Sequence, residues 1–431
     1  MKKASFYVRF LAINYQNSSK NIIKEKNMRD KLQIIALSLL GLAIPLTTYS
    51  KGYFFIAIVL AAVLGVFSLN FKQLKHSFSF FNKKLLMLVV PVCLVTVLSV
   101  IFAIDFSYSL KKLADVSLIL VITGLLGMFL QNVKKERFLI SLKAMLIMTV
   151  INIAYLYFDM YFASPEILLS IYGEGETGPG RVRYPASQIA VISPLLFAYI
   201  YFTLKNKTYA WGFFILVFFT VFATGGRSAM LSFIVGGLFM IVLLFIYKHE
   251  KINLKKIVVG VCAVLLCVSG GLLGYKVLDA RNGGKEFEYR ASLESSDLSS
   301  GRFEIWKFTW QKSLENPVLG VGIGGYRKLT ADSDVVLAAR NHPHNFILEI
   351  LVSTGFVGLI TCLTVLFIGF LMYFKQINQI SMVAIGVVSS YVTYWVNSLT
   401  SVSILQTYWL AIFAVMSLIG YFYIMNNKRV N

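Results

Sequence analysis

Long apolar runs separated by short polar ones dominate the chain from Lys31 to Met425. Twelve runs of about 20 residues can be read, near 32–49, 52–70, 85–104, 114–131, 138–158, 187–204, 208–224, 229–247, 257–275, 346–372, 380–398 and 402–424. Each should be a helix, because only an internally hydrogen-bonded backbone survives in lipid. The pattern predicts an all-α polytopic membrane protein of about 12 transmembrane helices. It also predicts one long external loop that holds short helices. Composition agrees, at 57% apolar residues and a mean hydropathy of +0.72.

The placement of Lys and Arg orients this bundle. A basic tail over residues 1–31 precedes the first run, and Lys72, Lys75, Lys83, Lys84, Lys134, Lys135 and Arg137 fall on its side of the membrane. So do Lys205, Lys207, Lys248, Lys251, Lys255, Lys256, Lys375, Lys428 and Arg429. Both termini are therefore expected in the cytoplasm. Spans one to nine occupy 32–275, a long external loop 276–345, spans ten to twelve 346–425, and a short tail 426–431. The net charge of +21 then reads as a cytoplasmic collar against anionic membrane lipids. Nucleic acid is not an expected partner, since the charges are scattered over short loops. The tail has no convincing cleavage site, so no signal peptide is expected. Cys93, Cys262, Cys267 and Cys362 all lie in spans and read as small apolar residues.

Two external connections are long. The first, about 159–186, is rich in Gly and Pro and carries Arg181 and Arg183. Within the second, 301–315 reads as a helix with Phe303, Trp306, Trp310 and Leu314 on one stripe, stopped at Asn316-Pro317. Such an aromatic face beside a membrane suits the interface. Two motifs there could mislead. Gly320-Val-Gly322-Ile-Gly-Gly325 has the form G-x-G-x-x-G but lacks the βαβ context of a dinucleotide site. It reads instead as a flexible turn whose N–H groups could face an anion. Asp332-Ser-Asp334 resembles a metal-binding D-x-D, and His342 with His344 are too few for zinc. No metal and no cofactor are expected.

Arg181, Arg183, Arg227, Arg302, His342 and His344 thus sit on the face that should be poor in positive charge. Arginine suits an anion such as a phosphate group, because its planar fork binds phosphate bidentately. Histidine titrates nearest neutral pH and suits a general base. Glu349, near the outer end of span ten, is an ionisable group in an expensive place. It lies five residues beyond His344, about 140° around a helix from it.

Three stretches together carry a resemblance. They are Ala223-Thr-Gly-Gly-Arg227-Ser-Ala-Met-Leu231, the loop run from Ser300-Gly-Arg302 through Asn316-Pro317 and Gly320-Val-Gly322 to Tyr326, and Asn341-His342-Pro-His344-Asn345 leading to Glu349 and Gly355. The set resembles the O-antigen ligase and polymerase superfamily of bacterial envelope proteins, from about Arg181 to Phe370. The resemblance implies a multi-pass enzyme of the bacterial inner membrane, a metal-independent, inverting glycosyltransferase working on the periplasmic face. The donor would be a glycan on undecaprenyl diphosphate. The acceptor would be lipid A–core for an O-antigen ligase, or another lipid-linked glycan for a polymerase. His344, Arg227 and Arg302 match the family's catalytic positions. Arg181, Arg183, His342, Tyr326 and Glu349 are the candidate substrate-binding set. Tyr184-Pro185 stands where the family has Asn, which loosens the match at Arg181 and Arg183. A transporter or flippase for a lipid-linked oligosaccharide is the rival from another class, and it would need charges near mid-membrane and interrupted helices in both halves.

Overall fold

The computed structural model describes residues 25–81, 83–161, 180–249, 302–331, 342–376 and 382–428. The ninth expected span, Asp332 to Asp334 and most of the two long external connections lie outside the described residues.

Regular structure among the described residues is helical. In chain order the helices are α1 (25–46), α2 (Lys51–Phe67), α3 (Phe71–Ser77), α4 (Lys83–Ile101), α5 (Phe106–Leu130), α6 (Lys135–Tyr161) and α7 (Gly180–Ala198). After them come α8 (Lys207–Ala223), α9 (Arg227–His249), α10 (Arg302–Glu315), α11 (Tyr326–Leu329), α12 (Phe346–Gln376), α13 (Met382–Thr400) and α14 (Thr407–Lys428).

Each expected span within the described residues overlaps one of these helices, although 402–406, expected at the start of span twelve, forms a turn before α14, and the count of about twelve transmembrane helices is not confirmed among the described residues. Six described helices are long and apolar enough to cross a membrane: Phe106–Leu130, Lys135–Met160, Val182–Thr203, Arg227–Phe245, Phe346–Gly369 and Thr407–Met425. A seventh would come from Phe71–Phe80 with Leu85–Ile101, which are bent by 65°. The shortfall has physical causes. α2 and α8 have 17 residues each. That is about 25 Å of helix, less than the hydrocarbon thickness of about 30 Å. α13 loses apolarity to Ser389, Ser390, Thr393 and Asn397, all buried in protein rather than facing lipid.

α7, α9 and α13 form the packed centre. Small residues let them close. A Cβ on Gly236 of α9 would stand 1.9 Å from Thr393 Oγ1, and one on Gly386 of α13 would stand 2.5 Å from the Pro194 carbonyl oxygen of α7. Polar bonds tie the same three helices: Asn397 Nδ2 donates to Ser187 Oγ at 3.1 Å and to Ser232 Oγ at 3.3 Å. Pro194 disturbs the helix of α7, and the next N–H, on Leu195, donates to Ser390 Oγ at 3.1 Å.

The Gly-rich run after α10 builds a corner rather than an anion cradle. α12 breaks at Gly355, which has φ +65° and leaves helical geometry. The carbonyls freed there are met by the loop: Val321 N–H donates to Val352 O at 2.9 Å and Gly322 N–H to Ser353 O at 3.0 Å. Phe356 N–H returns to Pro317 O at 2.7 Å. At Gly320, φ is +68° and a Cβ would meet the Ser353–Thr354 backbone at 2.5–2.6 Å, so only glycine passes. These N–H groups are spent on protein, and the expectation that they could face an anion is withdrawn.

α10 buries Ile305, Thr309 and Ser313 against the protein. Phe303, Trp310 and Leu314 of the expected stripe are exposed, while Trp306 turns inward.

Candidate functional site

Four chain segments meet at one end of the bundle: the start of α7, the turn from α8 into α9, the start of α10, and the segment before α12. Arg227 is the first residue of α9, set there by Gly225 at φ +64°, which ends the preceding helix. Arg183, in the first turn of α7, lies against this turn. Its Cγ is 3.8 Å from where a Gly226 Cβ would stand. Arg302 is the first residue of α10, and both its terminal nitrogens reach Ser228 Oγ at 3.4 Å. Burial lowers the Arg302 pKa, and the neighbouring Arg227 charge lowers it further. Three expected arginines therefore converge. The side chain of Arg181 is outside the described residues, although its backbone starts α7.

The histidines complete the cluster. Their rings lie 4.1 Å apart, centre to centre. The His344 N–H donates to His342 Nδ1 at 3.2 Å, and the His344 backbone is left-handed at φ +54°. Trp306 Nε1 holds the intervening Pro343 carbonyl at 3.1 Å. The His344 Nδ1 lies 2.8 Å from the Ser401 carbonyl oxygen. A carbonyl only accepts, so Nδ1 carries the proton and Nε2 keeps its lone pair. Burial lowers both histidine pKa values. His342 is pushed down to about 3, with His344 and Arg302 adding to the effect. For His344 the Ser401 bond works against burial, and Arg302 works with it. Both rings are neutral at neutral pH.

Asn345, not a histidine, caps α12. Its Oδ1 accepts from the N–H of Ile347 at 3.0 Å and Leu348 at 3.3 Å.

Two expected substrate contacts sit elsewhere. Tyr326 is 2% exposed and packs with Val321 and Val352, and its hydroxyl accepts from Thr309 Oγ1 at 3.2 Å. Glu349 is 4% exposed. Its carboxylate is taken by the Ser403 hydroxyl and by the Ile404 N–H at 3.0 Å. Both are turned into the protein rather than into the arginine–histidine cluster.

The feature sequence reasoning missed is the turn from Ser401 to Gln406 between α13 and α14. Thr400 O just before it accepts from Ser228 Oγ at 3.1 Å, and Ser401 O holds His344. Glu349 grips the same turn from behind. Two consecutive carbonyls thus register the Arg302–Ser228 pair and the His344 ring against each other. Carbonyls leave no signature in a sequence. The one available signal was the polar content of Thr400-Ser401-Val-Ser403 between apolar runs. A second unforeseen contact stands nearby: Lys51 Nζ lies 4.8 Å from the Tyr408 ring centre and 5.7 Å from that of Tyr184.

Among the described residues, no three His, Cys, Asp or Glu side chains come together as a metal site.

Residues 212–363 match the model of the O-antigen ligase family. That segment contains Arg227, Arg302, Tyr326, His342, His344 and Glu349. Three similar proteins are provisionally named polysaccharide ligases. One from Rickettsia typhi is 23% identical over 65% of this chain and 68% of its own. One from Rickettsia conorii is 24% identical over 62% of both chains. One from Rickettsia prowazekii is 23% identical over 46% of this chain and 47% of its own. This chain thus spans less than two thirds of the latter two. The resemblance read from the sequence is thus matched by the family model over residues 212–363, on a chain with several membrane-length apolar helices.

Proposed function

We propose that this protein is an O-antigen ligase, transferring a glycan from undecaprenyl diphosphate to lipid A–core on the periplasmic face of the inner membrane. The observation that carries the reading is the meeting of Arg183, Arg227 and Arg302 with a neutral, oriented His344 at one end of the bundle. The family match and the names of the Rickettsia proteins support ligase over polymerase.

The chemistry follows from these groups. Arg227 and Arg302 hold the donor diphosphate, whose charge grows as the anomeric C–O bond breaks. His344 Nε2 accepts the proton of the acceptor hydroxyl while that oxygen bonds to the anomeric carbon. Direct attack inverts the anomeric centre. The carrier leaves as undecaprenyl diphosphate, and the proton rests on His344. The Ser401 carbonyl then steadies the imidazolium through Nδ1. His342 and Trp306 fix the loop that carries His344. Tyr326 and Glu349 act as supports behind the site. No residue in this scheme requires a metal.

The test is a gel of lipopolysaccharide from a strain lacking the gene. A ligase predicts core without any O-antigen, with long carrier-linked glycan accumulating. Core capped by a single repeat would mean a polymerase and overturn the proposal.

A further inference from the structure

A cavity of about 400 Å³ opens at the other end of the bundle. It lies between the start of α1, the α2–α3 corner and the start of α6. Ser68 on its wall and Lys51 near the arginine–histidine cluster are at opposite ends of α2, about 25 Å apart by helix rise. The cavity is separate from the proposed active site.

Its walls are chosen for an anion. Lys26, Arg29, Lys134 and Arg137 line it against two carboxylates, Glu25 and Asp30. Arg29 pairs with Glu25, and Arg137 Nη1 donates to Asp30 Oδ1 at 2.6 Å and Gln33 Oε1 at 2.7 Å. Lys26 and Lys134 carry the charge left over. Neutral donors stand beside them. Asn70 and Gln73 hold each other through a reciprocal cap, so their amides are fixed in place. Exposed apolar side chains adjoin these wall residues along the chain: Met28, next to Arg29, is 58% exposed, Phe67, next to Ser68, 72%, and Phe71, next to Asn70, 82%. Large apolar side chains beside a polar, cationic hollow, at the end of a membrane helix, match a ligand with a phosphate head and hydrocarbon tails.

We propose that this cavity binds the headgroup of an anionic phospholipid from the leaflet at that end, which the proposed topology makes the cytoplasmic one. The lysines take the phosphate and the amides take the glycerol hydroxyls. The exposed Phe67 and Phe71 lie along the acyl chains. This site does not depend on the glycan reaction.

The experiment titrates the purified full-length protein in detergent with phosphatidylglycerol, with phosphatidylcholine of the same chain length, and with sn-glycerol 3-phosphate, read by native mass spectrometry. Preferential retention of one phosphatidylglycerol is expected. Lys26→Gln with Lys134→Gln, both exposed positions, should weaken it about thirtyfold. Lys72→Gln with Lys75→Gln, charges on α3 outside the cavity, should leave it in place. Equal weakening by both pairs would reduce the effect to general surface charge and overturn the site. Equal retention of the two lipids would do the same. Binding of glycerol 3-phosphate as tight as that of the lipid would overturn the lipid assignment, because the acyl chains would then contribute nothing.

Discussion

Two arginines at opposite ends of the bundle are held in different ways. Arg137 is anchored by a carboxylate and an amide at 2.6 and 2.7 Å. Among the described residues, Arg302 reaches a serine hydroxyl through two contacts of 3.4 Å, at the long limit for a hydrogen bond. The first is a cation whose needs are met by its own chain. The second is buried enough to have its pKa lowered, lies beside another guanidinium, and keeps most of its planar fork loosely engaged. Burying a charge without a close counter-charge costs stability. In the proposed reaction the donor diphosphate would supply that counter-charge.

The largest effect that would sharpen this contrast belongs to His344. His344→Ala should reduce transfer by about 10²–10⁴-fold at normal protein level, the range of a general base. Because its pKa is lowered, wild-type activity should hold through neutral pH and fall only as pH drops below the ordinary histidine value near 6.5. A rate still rising above pH 7 would contradict a base that is already neutral there.

Arg302→Lys should follow, with about a 10²–10³-fold loss, since a point ammonium cannot replace the fork at a developing charge. Arg137→Lys should be read instead in unfolding temperature, with a loss of about 1 kcal/mol or less for a partly exposed pair. If Arg137→Lys abolished transfer as Arg302→Lys does, the comparison would break.

Glu349→Gln should come next. It keeps the shape but replaces one of the oxygens that accept from Ser403 and Ile404 with an amide that donates, and so loosens the Ser401 carbonyl behind His344. We expect roughly a tenfold fall in kcat with KM little changed, about 1.4 kcal/mol for a lost buried hydrogen bond. A pure KM effect would instead return Glu349 to the substrate surface. The smallest effect is on stability in acid. The folded protein resists protonating His342 down to about pH 3, whereas the unfolded chain takes that proton near 6.5. The contribution is therefore full above pH 6.5 and declines as pH falls through that window. His342→Asn should flatten the acid side of a thermal-shift curve. Topology is open to a separate check. A cysteine placed at the exposed Glu315 should react with an impermeant thiol reagent in intact spheroplasts.

What could be read in advance follows from where information resides in a chain. Charged side chains interrupt apolar runs, so Arg183, Arg227, Arg302, His342 and His344 stood out, and the structure brings them together. The helix at Arg302–Glu315 was legible from its stop at Asn316-Pro317. Helix number was less legible, because apolarity alone does not separate α13, buried among α7 and α9, from a helix in lipid. Glu349 was singled out as an ionisable group in a span and Tyr326 came with the resemblance, and neither signal says which side of α12 or α11 they occupy. The Ser401–Gln406 turn was hidden because its work is done by main-chain oxygens.

The corner at Gly355 bears on how such a protein drifts. The spacing between the segment that carries Arg302 and the one that carries His344 is held by main-chain bonds from Val321, Gly322 and Phe356. Such bonds are indifferent to most side chains. Exchanges of lipid-facing side chains would leave those bonds, and so the spacing of Arg302 and His344, in place while glycine remains at 320 and 355. Relatives that share only 23–24% of their residues are compatible with that economy.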